Sequence, residues 1–262
     1  MKTVLSISGG MDSTCLLIKL LAQNKDVYLF SFDYGQKHKL ELERLDQNLE
    51  YLKSKNFKFK HTRIDLRSAM ASLRSALTSS DLEMPKGHYA DENMKKTVVP
   101  NRNAIFSSII YAQAQSLANT FEEDVEIALG VHSGDFSVYP DCREDFYEKL
   151  ENAFKNGNWN SEKVSFYLPY INVFKEDILH SCFNDCIKLN LDFDTVLANT
   201  NTSYLPDAEG KANGRTGSDV ERILAFYKIG RVDPVEYQDT WHNVLKWALA
   251  EEHKYMENHH AE

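Results

Sequence analysis

The chain has 262 residues, 42% of them apolar, and a formal net charge of −9. That apolar content supplies a core for one large α/β domain, or for one domain with a helical appendage, and excludes a disordered chain. The acidic balance argues against a surface that coats nucleic acid, so no direct nucleic-acid partner is expected, although a local basic cleft stays open. Four cysteines (Cys15, Cys142, Cys182 and Cys186) read as reduced intracellular thiols. Cys182 and Cys186, on one expected helix, read as core residues in preference to metal ligands. No signal peptide is expected ahead of the first strand, and no apolar run of about eighteen residues occurs, so the expectation is a cytoplasmic protein without a membrane partner.

Thr3–Ile7 reads as a strand, Asp12–Gln23 as a helix and Val27–Phe32 as a second strand. Leu40, Leu42, Leu45, Leu49 and Leu52 form an apolar stripe that predicts a helix over Lys37–Lys53, and Phe57–Ile64 reads as a third strand. This βαβαβ order implies a Rossmann-like, doubly wound parallel sheet with ligands at the carboxyl ends of its strands. Leu77–Lys96 is polar, contains Pro85 and Gly87, and reads as a long loop or lid. Asn103–Asn119 reads as a helix buried on one side, Val125–Leu129 as a strand, and Asp145–Lys155 and Lys175–Lys188 as helices. Thr240–His253 is an amphipathic helix bearing Trp241, Leu245 and Trp247, which serves either as core or as an interface. The chain is therefore expected to be a single domain over 1–262 with a C-terminal helical extension over about 235–262.

Three segments carry chemistry. Ser8-Gly9-Gly10-Met11-Asp12-Ser13-Thr14 joins the first strand to the first helix. Free N–H groups at such a turn and the positive helix end make an anion site, and the glycines let a phosphate come close to the main chain. The hydroxyls of Ser8, Ser13 and Thr14 add donors, whereas a carboxylate at Asp12 suggests a bridging Mg²⁺ or a helix cap. The Gly-Lys-Ser/Thr ending of a Walker loop is missing. In Val99-Pro100-Asn101-Arg102-Asn103, an arginine opens a helix, where it opposes the helix dipole unless it meets an anion. The third segment, Gly130–Arg143, follows a strand and holds His132, Asp135, Tyr139, Asp141 and Arg143. A carboxylate there can accept from the N–H groups of a guanine-like edge, and an aromatic face can stack on the base. Lys175, at a helix start, is either a phosphate ligand or a solvated lysine.

The Ser8, Gly10, Asp12, Ser13 spacing resembles the pyrophosphate loop of the N-type ATP pyrophosphatases. With Phe32–His38, Ala76–Thr78, Val99–Asn103, Gly130–Arg143, Pro169–Lys175 and Thr200–Pro234, the chain resembles the 7-cyano-7-deazaguanine synthase family over most of its length. The resemblance implies an ATP-dependent ligase that adenylates 7-carboxy-7-deazaguanine and passes it to ammonia, then dehydrates the amide to a nitrile. It implies ATP binding by Ser8, Gly9, Gly10, Asp12, Ser13, Thr14 and Phe32, with Mg²⁺ on Asp12 through the phosphates. Asp12, Arg102 and Lys175 are then the catalytic candidates. Asn101, Arg102, Asp135, Tyr139, Asp141 and Arg143 are the candidates for the deazaguanine substrate, and a homodimer is expected.

One departure stands out. The family carries a four-cysteine zinc site, and here those positions are Ser203, Asn213, Thr216 and Asp219, between the matching Tyr204, Gly214, Arg222 and Ala225-Phe226. Such oxygen donors do not replace four thiolates for structural zinc, so zinc is expected to be absent. Relatives of the synthase occur in bacterial antiphage systems, including type IV CBASS, where they are understood to stop at the amide and join deazaguanine to a protein N-terminus. The favoured expectation is therefore that the acceptor is the N-terminal amine of a partner protein. Ammonia, as in queuosine biosynthesis, is the alternative, and a non-catalytic nucleotide-binding relative is a third.

Overall fold

A computed structural model describes residues 1–37, 39–132 and 139–259 of the protein. The chain order is β1 (Lys2–Ser6), α1 (Met11–Ala22), β2 (Asp26–Asp33), α2 (Leu40–Ser54), β3 (Lys60–Asp65), α3 (Arg67–Met70), α4 (Arg102–Phe121) and β4 (Val125–Ala128). It continues through α5 (Glu144–Gly157), β5 (Val164–Tyr167), α6 (Lys175–Lys188), α7 (Phe193–Ala198), α8 (Gly217–Lys228) and α9 (Trp241–His259). The strands form one parallel sheet in the order β3-β2-β1-β4-β5. From β1 the chain winds outward through β2 and β3, then returns to β4 on the other side of β1. The topological switch point therefore lies between β1 and β4, where ligands of open α/β sheets bind.

Strand alternation fills both faces of the sheet. Leu5 and Ile7, with Val27 and Leu29, face a core built with α1, α2 and α6. Val4, Tyr28, Phe30 and Phe32 face the opposite core with α4, including Ile110, Tyr111 and Ala114. The leucine stripe of α2 is buried at Leu42, Leu45, Leu49 and Leu52, as its helical spacing demands. Cys15, Cys182 and Cys186 are fully buried in the first core. Among the described residues, no helix is long and apolar enough to cross a membrane.

The structure corrects several boundaries and adds elements. The third strand starts at Lys60, so Phe57 to Phe59 lie before it, and α9 runs six residues beyond His253 to His259. Strand β5 and helices α3, α7 and α8 have no counterpart in the sequence reading. Helix α9 packs on α8, where Val244 and Ala248 are buried against Val220, Ile223 and Leu224, with Trp241 and Trp247 partly buried at the edges. Its apolar face is therefore core within this chain.

Candidate active site

A cavity of about 300 Å³ opens at the switch point, beyond the carboxyl ends of β1, β2 and β4. Its phosphate-loop pole is held by short-range geometry. Gly9 sits at φ +95°, and a Cβ there would lie 2.0 Å from the Glu41 carbonyl oxygen, so only glycine fits. Gly10 caps α1 in extended conformation, its N–H donating to Ser8 Oγ at 3.1 Å, and Ser13 Oγ lies 3.2 Å from Ser8 Oγ. Gly130, at the end of β4, approaches this turn so closely that a Cβ would sit 3.2 Å from the Ser13 nitrogen. The main chain of Asn201 closes the turn from the C-terminal side, donating to the Gly9 carbonyl at 3.0 Å.

Charge concentrates beside the turn. Lys175, only 5% exposed, donates to Glu221 Oε2 at 2.6 Å and lies 3.4 Å from Asp12 Oδ2. Buried His132 bridges the same two acids, with Nε2 3.8 Å from Asp12 Oδ2 and Nδ1 3.8 Å from Glu221 Oε1. Burial pushes the Asp12 carboxyl up, but the Lys175 ammonium and His132 outweigh it and hold the group below its usual range. Asp12 Oδ1 is buried without a hydrogen-bond partner. An orphaned, ionised carboxylate oxygen facing a phosphate turn suits a hard divalent cation. Among the described residues no cluster of three His, Cys, Asp or Glu side chains forms a metal cage. A cation at Asp12 would therefore draw its remaining ligands from phosphates and water, the usual habit of Mg²⁺.

The other pole is aromatic. Phe32 stacks on Phe106 at 4.1 Å, Tyr34 meets the same ring edge-on, and the Arg102 guanidinium lies 5.9 Å from the Tyr34 ring centre. Tyr139 lines this wall with its hydroxyl bonded to Thr97 Oγ1. Glu41, from the first turn of α2, is half-buried here, and burial pushes its carboxyl up to about 7 although Gln36 donates to it at 3.2 Å.

Of the residues singled out from sequence, Ser8, Gly10, Asp12, Ser13, Phe32, Arg102, Tyr139 and Lys175 line the cavity. Gly9 and Thr14 lie behind the wall, one packed on α2 and the other buried on α1. Asn101, Asp141 and Arg143 are not among the described residues that line this cavity. Asn101 is exposed in left-handed conformation ahead of α4, and exposed Arg143 precedes α5. Asp141 sits in a 3₁₀ turn, Pro140–Cys142, whose Cys142 faces the cavity instead. Asp135 lies outside the described residues. Glu41, Tyr89, Asn201 and Glu221 line the cavity without having been singled out, because each arrives through tertiary packing. The long Leu77–Lys96 segment supplies Leu77, Tyr89 and Met94 to the wall. It is pinned where buried His88 meets Glu252 of α9 at 2.7 Å and where the Gly87 N–H donates to the Arg215 carbonyl.

Residues 2–230 match the model of the family described as "Queuosine biosynthesis protein QueC". The chain belongs to the QueC family. It is 38% identical over 237 residues to "7-cyano-7-deazaguanine synthase 1" of Colwellia psychrerythraea, covering 90% of this chain and 99% of that one. It is 39% identical over 238 residues to the 7-cyano-7-deazaguanine synthase of Caldicellulosiruptor saccharolyticus, covering 91% of this chain and 96% of that one. In structure it is similar to NMN synthetase from Francisella tularensis over 97% of this chain and 86% of that one, with TM-score 0.40 and 11% identity, too remote to carry function.

Within this QueC chain, the positions expected to hold zinc cysteines are occupied by a hydrogen-bonded hub. Buried Asp219 accepts through Oδ2 from Ser203 Oγ at 3.1 Å, Thr216 Oγ1 at 2.6 Å and the Thr216 N–H at 3.1 Å. Thr216 in turn caps α8 by accepting from the Asp219 N–H, a capping box in which Asp takes the usual Glu position. Asn213 turns aside and accepts from the Arg215 N–H at 2.8 Å. Burial pushes the Asp219 carboxyl above its usual range, partly offset by the bonds from Thr216 and Ser203. Arg222, one turn on, is buried and bidentate to Asp233 at 2.6 and 2.9 Å, and its remaining N–H groups meet Thr200, Thr202 and the Leu197 carbonyl.

Proposed function

We propose that this protein is an AMP-forming ligase that activates the carboxylate of 7-carboxy-7-deazaguanine with ATP and joins it to an amine. The observation that carries the reading is Lys175 set against Asp12 at the phosphate turn, inside a cavity at the switch point. A substrate carboxylate oxygen attacks the α-phosphorus, a P–O bond forms, and the bond to the leaving pyrophosphate breaks. Turn N–H groups, the serine hydroxyls and Lys175 face the place where pyrophosphate charge develops, and such preorganised donors favour that transition state. Mg²⁺ on Asp12 and the phosphates would supply further neutralisation. The aromatic pole, with Phe32, Phe106 and Tyr34, suits planar bases, and Arg102 beside it suits a carboxylate or phosphate. The amine then attacks the activated carbonyl and AMP leaves. Pyrophosphate released only when both ATP and 7-carboxy-7-deazaguanine are present tests this reading; none released would overturn it.

For the acceptor, ammonia is the reading with broader support, because the named relatives are 7-cyano-7-deazaguanine synthases. A second reading, a protein N-terminal amine as in antiphage systems, draws on the rebuilt segment around Asp219. It accounts for a remodelled acceptor side, and a secondary amide cannot lose water to give a nitrile without losing its substituent. Either way, we infer that zinc has no structural role here. Hydroxyl, amide and one carboxylate offer no thiolate, and Asp219 Oδ2 already accepts three protein hydrogen bonds.

A further inference from the structure

We propose that the acceptor amine reaches the activated carboxylate through a side cavity between α6 and α8, with Glu221 as the group that takes its proton. The inference rests on the ligase reading above. The side cavity holds about 180 Å³ and is lined by Tyr89, Phe174, Lys175, Glu176, Glu221 and Lys228, over a floor containing Leu224. Tyr89, Lys175 and Glu221 also line the main cavity, so these three side chains form the partition between the two spaces.

The chemistry of this second space differs from that of the first. It has no glycine turn and no aromatic stack, and its volume is smaller than that of the cavity facing the phosphate loop. Carboxylates stand at both ends: Glu176 outside, bonded to Lys228 at 3.0 Å, and Glu221 at the partition. Each carboxylate is paired with a lysine of the same wall, Lys228 for Glu176 and Lys175 for Glu221, so the space is balanced in charge. An ammonium that replaces Lys175 at Glu221 keeps that balance where an anion would not. At the partition itself, Asp12 and Glu221 share the Lys175 ammonium at 3.4 and 2.6 Å. When Lys175 turns to a phosphate it loosens from Glu221, and an arriving ammonium takes its place. That sequence places nucleotide first and amine second.

A protonated amine is no nucleophile, so a base must act before attack. Glu221 takes one proton from the ammonium and releases it to water through the side cavity. The freed lone pair attacks the carbonyl carbon, the C–N bond forms, the C–O bond to the phosphate breaks, and AMP leaves with that electron pair. The second proton departs from the new amide nitrogen to water, so one acyl adenylate and one ammonium give one amide, AMP and two protons. The groups facing Glu221 are Lys175 from α6, His132 beyond β4, Tyr89 from the long segment and, through Lys175, Asp12 of α1. Ammonium and a peptide N-terminus share this chemistry and differ in size.

The test runs full-length protein with ATP, Mg²⁺ and 7-carboxy-7-deazaguanine, using ammonium chloride in one arm and glycinamide in the other, with pyrophosphate release and amide formation both followed. Glu221→Gln is expected to lower kcat/KM for either amine by about 100-fold, well beyond its effect on pyrophosphate release. Lys228→Trp, at the outer mouth, is expected to raise KM for glycinamide more than for ammonium. Equal losses in both steps for Glu221→Gln would overturn Glu221 as base. Equal response of both amines to Lys228→Trp would overturn the route. A wild-type protein that releases no pyrophosphate would instead overturn the ligase reading, and the route with it.

Discussion

The phosphate turn and the segment from Ser203 to Arg222 lie on either side of one cavity and are held by different means. The turn depends on main-chain geometry that a single residue type can adopt, as at Gly9, whose missing Cβ would collide with the Glu41 carbonyl. Asp12 lines the cavity and keeps a buried oxygen without a hydrogen-bond partner among the described residues. The Ser203–Arg222 segment does the opposite. Asp219, bonded by three donors through Oδ2, and Arg222 are buried among protein partners, and the segment between them presents Glu221 and Ser218 to the cavity. A buried polar group left unmet suits a ligand site and a satisfied one suits a scaffold, and the two sides of this cavity differ in that respect.

The largest expected effect falls on the structural side. Arg222→Met leaves Asp233 as an uncompensated buried charge and should cost about 3–5 kcal/mol in urea unfolding; a loss under about 1 kcal/mol would show that the Arg222 bonds do not hold the segment. On the functional side, Asp12→Ala should lower pyrophosphate release by at least about 100-fold with little loss of stability. An active Asp12→Ala protein would remove Asp12 from the mechanism.

How far these two sides were legible in the sequence follows from the range of the forces. The strand–turn–helix of the phosphate loop is local, written in Ser8, Gly10, Asp12 and Ser13, and the residues for α6 and its Lys175 were read to the boundary. Strand β5, Val164–Tyr167, is as short as β4 but lies at the sheet edge with only Val164 fully buried, so it lacks the apolar run that marks β4. Helix α8 carries a readable cap, Thr216-x-x-Asp219, which is hidden when the same residues are read as a lost metal site. Glu221 and Glu41 carry no local signal at all. One is brought to Lys175 by the packing of α8 on α6, and the other sits half-buried where Gly9 packs against its backbone.

A smaller effect is expected from Glu41. Its carboxyl, raised to about 7, favours the neutral form in the folded state, so its contribution is full below the ordinary carboxylate range and is lost as pH rises through about 7. Glu41→Gln should flatten the decline in stability between pH 4.5 and 7, by about 1–3 kcal/mol for a partly shielded group. An unchanged pH dependence would place the group in water. The smallest effect concerns metal: a chelator should leave Tm unchanged, because Ser203 and Thr216 already hydrogen-bond Asp219, whereas a Tm drop of several degrees would reveal a structural cation.

The central claim, activation of a carboxylate and its transfer to an amine, is tested most directly by mass spectrometry of the products. Purified protein is supplied with ATP, Mg²⁺, 7-carboxy-7-deazaguanine and ammonia. The account predicts AMP together with the amide or the nitrile, the nitrile marking full synthase activity and the amide marking a transfer that stops after one activation. Unchanged 7-carboxy-7-deazaguanine, with no AMP formed in the presence of ammonia or of a peptide amine, would contradict it.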